Sequence, residues 1–207
     1  MPQHWSSFHL SIRPVSSPYA PLLAHIARYV ALAPAEAELL QTYLTRQTIG
    51  RKEHLLTEGQ VCTANYFVLR GCLRTYLGNE KGSEQTILFG IENWWLTDYA
   101  SLDMQTPSQF FIQAVETTEV VVFDKRVQEE VLSRLPQLER YFRILLQKSA
   151  AAALFRIKFL FRLSGEALYR HFNSAFPGFV QRVPQYMLAS DLGFTPEVLS
   201  KIRTKVD

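Results

Sequence analysis

The sequence has little cysteine, no long apolar run and no basic leader, and each of these absences excludes a class of protein. Its two cysteines, Cys62 and Cys72, are too few for a disulfide framework or a cysteine-ligated iron–sulfur cluster, so we expect small buried side chains. No window of about 18 apolar residues occurs, which argues against a membrane span. The N-terminal stretch lacks the basic start and unbroken apolar segment of a signal peptide, so the expected compartment is the cytoplasm.

Residue patterns of common enzyme classes are also missing. The histidines are scattered and show no close ligand spacing; they are His4, His9, His25, His54 and His171. The sequence contains no phosphate-binding loop, no Gly-x-Ser-x-Gly elbow and no dinucleotide fingerprint. We therefore predict that the protein is not an enzyme and has no metal site and no cofactor.

Apolar content and charge distribution are informative. The chain has 207 residues, 47% of them hydrophobic, which is enough for a sizeable core. Residues 1–136 carry 11 basic and 14 acidic residues and residues 137–207 carry 11 and 5, which gives net charges of −3 and +6. Such a split is typical of a nucleic-acid-facing half, although a solvated basic helix face would give the same count.

The hydrophobic period changes twice along the chain. Helical spacing in residues 21–44 gives way to short runs of period two, such as "NYFVLRG" and "EQTILFG", which are bounded by glycine and rich in β-branched and aromatic residues. We predict an α+β protein: an N-terminal antiparallel β-roll of the jelly-roll type with flanking helices, a long connecting helix and a C-terminal helix-turn-helix. Residues 1–20 are expected to be flexible, and residues 21–135 to form a sensor domain.

A long helix is predicted after the roll. A short helix at about 125–134 precedes it, and the long helix itself spans 136–163 as the dimerisation helix. A stripe at spacings of three and four runs along it, interrupted by Arg156: Leu138, Phe142, Leu145, Ser149, Ala152 and Phe159. This stripe either pairs with a second copy of the chain or packs on the β-roll of its own chain, and both uses can share the helix.

Residues 164–207 are predicted to form a DNA-binding domain that ends in "VPQYMLASDLGFTPEVLSKIRTK". Pro184 begins one helix, Gly193 breaks it, and Thr195 and Pro196 are the N-cap and first residue of a second helix. Small Ala189 allows close helix approach. The apolar residues expected between the two helices are Leu199 and Ile202.

The outward face of the second helix carries the residues that point to nucleic acid. Ser200, Lys201 and Arg203 supply hydrogen-bond donors and positive charge, which a helix in the major groove needs for bases and phosphates. An ordinary αα-corner in a small helical domain is the alternative. We favour DNA binding because this helix lies in the basic third of the chain.

In layout, the chain resembles the cyclic-AMP receptor and fumarate–nitrate regulator (Crp/Fnr) superfamily of bacterial transcription factors. The resemblance rests on "LLTEGQVCTANYFVLRGCLRTYL", "FFIQAVETTEVVVFDKRVQEEVLSRLP" and "RVPQYMLASDLGFTPEVLSKIR". It implies that Thr195, Pro196, Glu197 and Lys201 contact operator DNA. In that role Glu197 would accept a hydrogen bond from cytosine, and Lys201 would donate to guanine or phosphate.

The resemblance fails in the effector region. Cyclic-nucleotide binders of the family hold the ribose with a Gly–Glu pair and the cyclic phosphate with an Arg–Ser pair, and these positions fall on Leu96, Thr97, Ser108 and Gln109. No arginine occurs between Arg74 and Arg126 to neutralise a phosphate, so we predict that cyclic AMP is not the effector.

Two interpretations of this region remain open. It either forms an aromatic pocket for an unknown small molecule, or its tryptophans simply fill the roll. The pocket would be lined by Trp94, Trp95, Thr97, Asp98, Tyr99, Ser108 and Gln109.

The predicted function is a homodimeric transcription regulator that binds double-stranded DNA, with RNA polymerase and an unknown effector as further partners and no membrane contact. The alternative is a ligand-binding or protein-interaction β-roll whose terminal helices contact a partner protein. Family members often carry a β-wing after the recognition helix, and with only Asp207 left at the end no such wing is expected. The DNA contacts of a wing would then be missing.

Overall fold

The computed structural model describes residues 17–78 and 82–206, and this part of the chain begins with two short helices. α1 (Ala20–Ala27) and α2 (Pro34–Thr42) each have a proline in the first turn, where the missing amide hydrogen has no helical acceptor. Glu36 also accepts a hydrogen bond from the Ala33 amide at 2.7 Å, which stabilises the start of α2. The helices predicted before the roll are confirmed; of the terminal segment expected to be flexible, residues 1–16 lie outside the described residues.

The β-roll follows these helices. Within the described residues its strands are β1 (Thr45–Ile49), β2 (His54–Leu56), β3 (Ala64–Arg70), β4 (Leu73–Gly78), β5 (Glu84–Gly90), β6 (Trp95–Leu96), β7 (Phe111–Ala114) and β8 (Thr118–Asp124). They form two four-stranded antiparallel sheets, in the orders β1-β8-β3-β6 and β2-β7-β4-β5. The predicted antiparallel roll is confirmed.

Side chains of the protein itself fill the space between the two sheets. Residues alternate across each strand, so every second side chain points inward. The inward side chains come from both sheets and include Val68 and Leu73 (each 0% exposed), Ile112 (0%) and Leu96 (2%). The interior of the roll is therefore an apolar core.

Three helices lie within or directly after the roll. α3 (Tyr99–Met104) lies between β6 and β7, and α4 (Lys125–Arg134) begins where Asp124 accepts a hydrogen bond from the Arg126 amide. α5 (Gln137–Arg162) has 26 residues and is therefore about 39 Å long. The predicted short and long helices are confirmed to within one residue at each end. Within the two described ranges, no helix combines the length and apolar content needed to cross a membrane.

The chain ends in four short helices that share a core with the roll. They are α6 (Gly165–Ala175), α7 (Pro177–Val180), α8 (Gln185–Asp191) and α9 (Pro196–Val206). The Ser164 hydroxyl caps α6 by accepting from the Ala167 amide. Leu168, Leu188 and Leu199 of these helices belong to the same buried cluster as Cys72 and Phe89 of the roll. The terminal helices are thus joined to the roll by an apolar interface.

Candidate functional site

Two consecutive helices and a tight turn form the candidate nucleic-acid interface. Gly193 ends α8 with φ +75°, a conformation that glycine adopts at little cost. The Phe194 amide donates to the Ala189 carbonyl at 2.8 Å, which closes the turn. The Thr195 hydroxyl then accepts from the Val198 amide at 3.4 Å, so Thr195 lies at the N-cap position expected from the sequence.

The buried side of α9 fixes which of its residues face outward. Leu199 (0% exposed) and Ile202 (8%) pack against Ala189 (0%) and the shared core. Of the residues that the sequence assigned to DNA, all but one are exposed: Thr195, Pro196, Glu197, Ser200 and Lys201. Arg203 is half-buried. The structure therefore brings the predicted set onto one helix and leaves most of it open to a partner.

Charge on this face is mixed. A hydrogen bond from the Thr195 side chain, helped by its own backbone amide and by Lys201, lowers the pKa of Glu197, so this carboxylate is ionised at neutral pH. Lys205, in contrast, pairs with Glu166 of α6 at 3.0 Å and is directed toward its own chain. The exposed face thus offers both an acceptor and a cation.

A shallow polar concavity next to this face includes two residues that sequence reasoning missed. It is lined by Gln185 at the start of α8 and by Ser200, Arg203 and Thr204 of α9. Gln185 follows Pro184 in the first turn of α8. Its position directly after the proline that begins the helix is the sequence feature from which it could have been predicted. Its amide and the nearby hydroxyls add hydrogen-bonding capacity beside the predicted set.

The two tryptophans of the effector region do not line one pocket. Trp95 packs among the rings of Phe67, Phe123 and Phe142, and its indole N–H donates to the Tyr141 hydroxyl at 2.8 Å. Trp94, one residue earlier, is 40% exposed. For Trp95 the interpretation as core filling is therefore supported, because its ring and its N–H both have partners inside the protein.

The polar residues of this region bond to each other and to the backbone. Asp98 caps α3 by accepting from the Ala100 amide (3.1 Å) and the Ser101 amide (3.2 Å), and the Ser108 hydroxyl donates to the same carboxylate at 2.7 Å. The Thr97 hydroxyl donates to the Ala64 carbonyl at 2.9 Å.

The remaining predicted pocket residues, Tyr99 and Gln109, are exposed. The structure therefore does not bring the seven predicted residues together around a common cavity. Their polar groups have internal partners or face solvent instead.

Leu96 fills the position that the family resemblance gives to glycine. Its side chain packs directly on Gly90, where an added Cβ would lie 1.7 Å from the Leu96 Cδ1 atom. Leu96 is 2% exposed and belongs to the core of the roll. The space between β5 and β6 is thus occupied by leucine.

The predicted dimer stripe of α5 faces its own chain for much of its length. Leu138 is 1% exposed and, with Phe142 and Leu145, packs on the core of the roll and the N-terminal helices, while Phe159 packs on the core of the terminal helices. Only Ser149 and Ala152, between these two cores, are exposed. These contacts agree with the alternative that the stripe packs on its own chain, and its part in a dimer stays a prediction.

A second apolar row on α5, about a quarter turn around the helix from the predicted stripe, is exposed. It consists of Leu146, Ala150, Ala153, Ile157 and Leu160, at alternating spacings of four and three. Sequence reasoning missed it because two adjacent faces of the helix carry apolar residues. We call this row the outer seam.

Both cysteines of the roll are buried free thiols. Burial raises the pKa of the Cys72 thiol to about 12, so it remains protonated at neutral pH. Cys62 is also fully buried, and its sulfur contacts the Thr97 hydroxyl at 3.2 Å. Among the described residues, no group of three or more histidine, cysteine, aspartate or glutamate side chains is placed to hold a metal.

Comparison with known proteins agrees with this architecture. Residues 46–134 match the family model of the cyclic nucleotide-binding domain, which covers nearly all of the roll and α4. No curated protein sequence matches the chain at a significant level.

Three solved structures illustrate the likeness in fold. FixK2 from Bradyrhizobium japonicum has 16% identity and a TM-score of 0.65, over 79% of this chain and 84% of that chain. The c-di-GMP responsive global regulator CLP from Xanthomonas campestris has 11% identity and a TM-score of 0.66, over 84% and 91%. A Crp/Fnr family transcriptional regulator from Eubacterium rectale has 16% identity and a TM-score of 0.62, over 84% and 83%.

Residues 46–134 are thus similar to the cyclic nucleotide-binding domain. At these identities the solved structures establish the fold, which is that of the Crp/Fnr transcription regulators. The resemblance predicted from the sequence is confirmed.

Proposed function

We propose that this protein is a homodimeric, sequence-specific DNA-binding transcription regulator of the Crp/Fnr type, with an effector site that does not take cyclic AMP. The observation that carries the proposal is the outward face of α9. Glu197, Ser200 and Lys201 are exposed there, while Leu199 and Ile202 hold the opposite face in the core. A rigid helix that presents short polar and charged side chains is suited to the major groove.

Each exposed side chain has a matching group on DNA. The ionised Glu197 carboxylate can accept a hydrogen bond from a cytosine amino group, which gives sequence preference. Lys201 can donate to guanine or to a phosphate, and Arg203 and Gln185 flank it at positions suited to the backbone. Base reading is therefore assigned to Glu197 and Ser200, and the main electrostatic contribution to Lys201.

The outer seam of α5 supports the homodimer. Its spacing is that of the a and d positions of a heptad repeat, and the two central alanines allow close approach of a second helix. Covering these side chains with the same row of a second copy would remove exposed apolar surface from water, which is the main driving force of association. A symmetric pair of α5 helices would place two recognition helices on one face of DNA, about 34 Å apart.

The effector region is not suited to a cyclic nucleotide. No arginine replaces the family's phosphate ligand, Leu96 occupies the glycine position, and Asp98 places a buried negative charge beside Ser108. A phosphate in this region would meet a carboxylate and lose its hydration without a cationic partner, which is strongly unfavourable. Any small-molecule effector would therefore be of another chemistry. RNA polymerase would be a further partner, in the bacterial cytoplasm, if the regulator activates transcription.

Selection of bound duplexes from a randomised DNA pool tests this function. We expect enrichment of an inverted repeat whose half-sites are one helical turn apart. Glu197→Ala should relax preference at one base pair of each half-site by about 1–3 kcal/mol, while Lys201→Ala should weaken all sequences and reduce the slope of log affinity against log salt by about 1 per subunit. If no sequence is enriched at low salt, the protein-interaction alternative is favoured.

The dimer has its own test. Ile157→Glu places a carboxylate in the outer seam and should convert the dimer to monomers in analytical ultracentrifugation. Ala151→Glu is the matched control, because Ala151 is exposed and helix periodicity places it on the side of α5 away from the seam. If both variants sediment as the wild type, the outer seam is not the dimer interface.

A further inference from the structure

The helix-turn-helix unit is bound to the roll of its own chain by an ion-pair cluster around Arg182. Arg182 lies between α7 and α8, and its Nη1 and Nη2 atoms donate to both oxygens of Glu92 at 3.0 and 2.6 Å. Its Nε and Nη2 atoms also donate to the Glu116 carboxylate at 2.9 and 2.7 Å. Glu92 follows β5 and Glu116 precedes β8, so one guanidinium connects two loops of the roll to the terminal unit. We call these three residues the Arg182 clamp.

Glu92 is itself held in place by the backbone of the roll. Its Oε1 atom accepts a hydrogen bond from the Gly71 amide at 2.9 Å, in the turn between β3 and β4. Bidentate pairs between arginine and carboxylates fix direction as well as distance. The clamp therefore restricts how the terminal unit can rotate on the roll.

Apolar packing and a strand edge add to the same contact. The rings of Phe89 and Phe179 meet edge to face, with centroids 5.0 Å apart, beside the clamp. On the other side of the unit, the Ser190 hydroxyl of α8 accepts from the Thr86 amide at 2.8 Å and donates to the Glu84 carbonyl at 3.0 Å. The edge of β5 is thus capped by α8, and the Thr86 amide reports directly on whether the two units are in contact.

Docking through this contact leaves the recognition face free. Glu197, Ser200 and Lys201 are exposed in the docked arrangement, whereas the residues that face the roll come from α7, α8 and the loop between them. The contact therefore does not mask DNA. It fixes the direction in which α9 points, and a fixed direction lowers the entropy lost when two recognition helices bind together.

We propose that Arg182 is a positioning residue for DNA binding, which acts through Glu92 and Glu116 by holding the recognition helix in a fixed orientation on the roll. This inference rests on the proposed DNA-binding function. Breaking the clamp is expected to weaken operator binding about tenfold, within the range usual for coupling between sites.

The negative charge of Glu92 distinguishes this positioning role from direct contact with DNA. Glu92→Gln removes a negative charge, so electrostatics alone would strengthen binding to DNA, whereas loss of the clamp weakens it. Glu119→Gln is a matched control: Glu119 pairs with Arg46 at 2.6 Å and its side chain has the same 33% exposure as Glu92, but it lies on β8 beside β1. The two variants change net charge equally and differ only in the contact that they break.

The experiment measures operator affinity and salt dependence for the wild type, Arg182→Ala, Glu92→Gln, the double variant and Glu119→Gln. We expect each clamp variant to lose about tenfold in affinity, the double variant to lose no more than Arg182→Ala, and the salt slope to stay at the wild-type value. Hydrogen exchange at the Thr86 amide should become faster in the clamp variants and remain unchanged in Glu119→Gln. Circular dichroism confirms that all variants are folded.

Three results would overturn the inference. They are an affinity of Glu92→Gln that matches or exceeds that of Glu119→Gln, a salt slope of Arg182→Ala reduced as in Lys201→Ala, and Thr86 exchange that is unchanged in the clamp variants. Absence of DNA binding by the wild type is a separate outcome that would refute the proposed function, and Thr86 exchange would then still decide whether Arg182 holds the units together.

Discussion

Asp191 at the end of α8 has a buried carboxylate whose titration should be measurable as a change in stability. Its side chain is 2% exposed and pairs at 3.0 Å with Arg156 of α5, whose side chain is 35% exposed and therefore partly screened by water. Burial raises the pKa of Asp191 from its ordinary 3.8 to about 6, against the opposing effect of Arg156. A shift of about two units corresponds to about 3 kcal/mol.

The sign of the effect follows from which state holds the proton. Between pH 3.8 and about 6 the folded protein keeps Asp191 protonated while the unfolded chain has released the proton, so the folded state binds more protons. The free energy of unfolding therefore falls as pH rises through this window and levels off above it. Asp191→Asn removes the titration and keeps an amide oxygen that can accept from Arg156.

Urea denaturation at intervals between about pH 4.5 and 7.5 measures this difference. The stability of the wild type relative to Asp191→Asn should decrease by about 2 kcal/mol across this range, since the part of the pKa shift that lies above pH 4.5 is about 1.5 units. All other titrating groups are shared by the two proteins and cancel. Asp103→Asn is the control, since the Asp103 side chain is 84% exposed and its variant should show no such trend. A relative stability that is flat or rises with pH would refute the reasoning and mean that the pair with Arg156 outweighs burial.

Three further predictions concern the roll. Gly90→Ala should destabilise the protein by about 1–3 kcal/mol in thermal melts, because the added methyl group meets Leu96. Adding Leu96→Ala to this variant should recover part of the loss, and an equal loss in the single and the double variant would contradict the contact. Cys72, with a pKa of about 12, should resist iodoacetamide in the folded protein at about pH 8 and react after unfolding, and rapid modification of the folded protein would show that the thiol is accessible. Millimolar cyclic AMP should leave the melting temperature unchanged, whereas a ligand at a hundred times its dissociation constant would add about 2.7 kcal/mol and raise it.

The terminal helices could be predicted from sequence because their boundaries depend on local chemistry. Pro184, Gly193, Thr195 and Pro196 each restrict the backbone or supply a cap at the position where they occur. The return of the helical period also predicted α4 and α5 to within one residue at each end. The glycine-bounded runs of period two likewise predicted the roll, although not which strands pair.

The face of α5 that remains exposed could not be predicted in the same way. Apolar residues recur at spacings of three and four on two adjacent faces of this helix, and periodicity alone does not tell which face the same chain covers. Leu138 and Phe159 are covered because the roll and the terminal unit contact the same side of α5. Such contacts depend on tertiary packing between distant segments, so the outer seam became visible only in the structure.

The effector region shows a similar limit. Trp95 is the first residue of β6 and Trp94 lies just before it, so the two rings have different surroundings. A strand of only two residues leaves no alternating pattern from which this difference could be predicted. Asp98 and Ser108 are ten residues apart and were placed in a pocket by analogy with the family. Their mutual hydrogen bond depends on how the loop after α3 returns to the sheet, which no local pattern records.

The basic excess of the C-terminal third, net +6 in residues 137–207, also takes on a different meaning in the structure. Arg156, Arg182 and Lys205 are committed to carboxylates of the same chain, and Arg182 alone contacts two acidic residues of the roll. Part of the charge asymmetry therefore holds the terminal unit in place, because the roll supplies Glu92 and Glu116 to Arg182. Arg156 and Lys205 pair instead with Asp191 and Glu166 of the C-terminal part itself. The charge directed at DNA is correspondingly smaller than the sequence count. Since each neutralised phosphate contributes about −0.9 to the salt slope, affinity should depend only modestly on salt. Discrimination between sequences must then come mainly from the direction in which α9 presents Glu197 and Ser200.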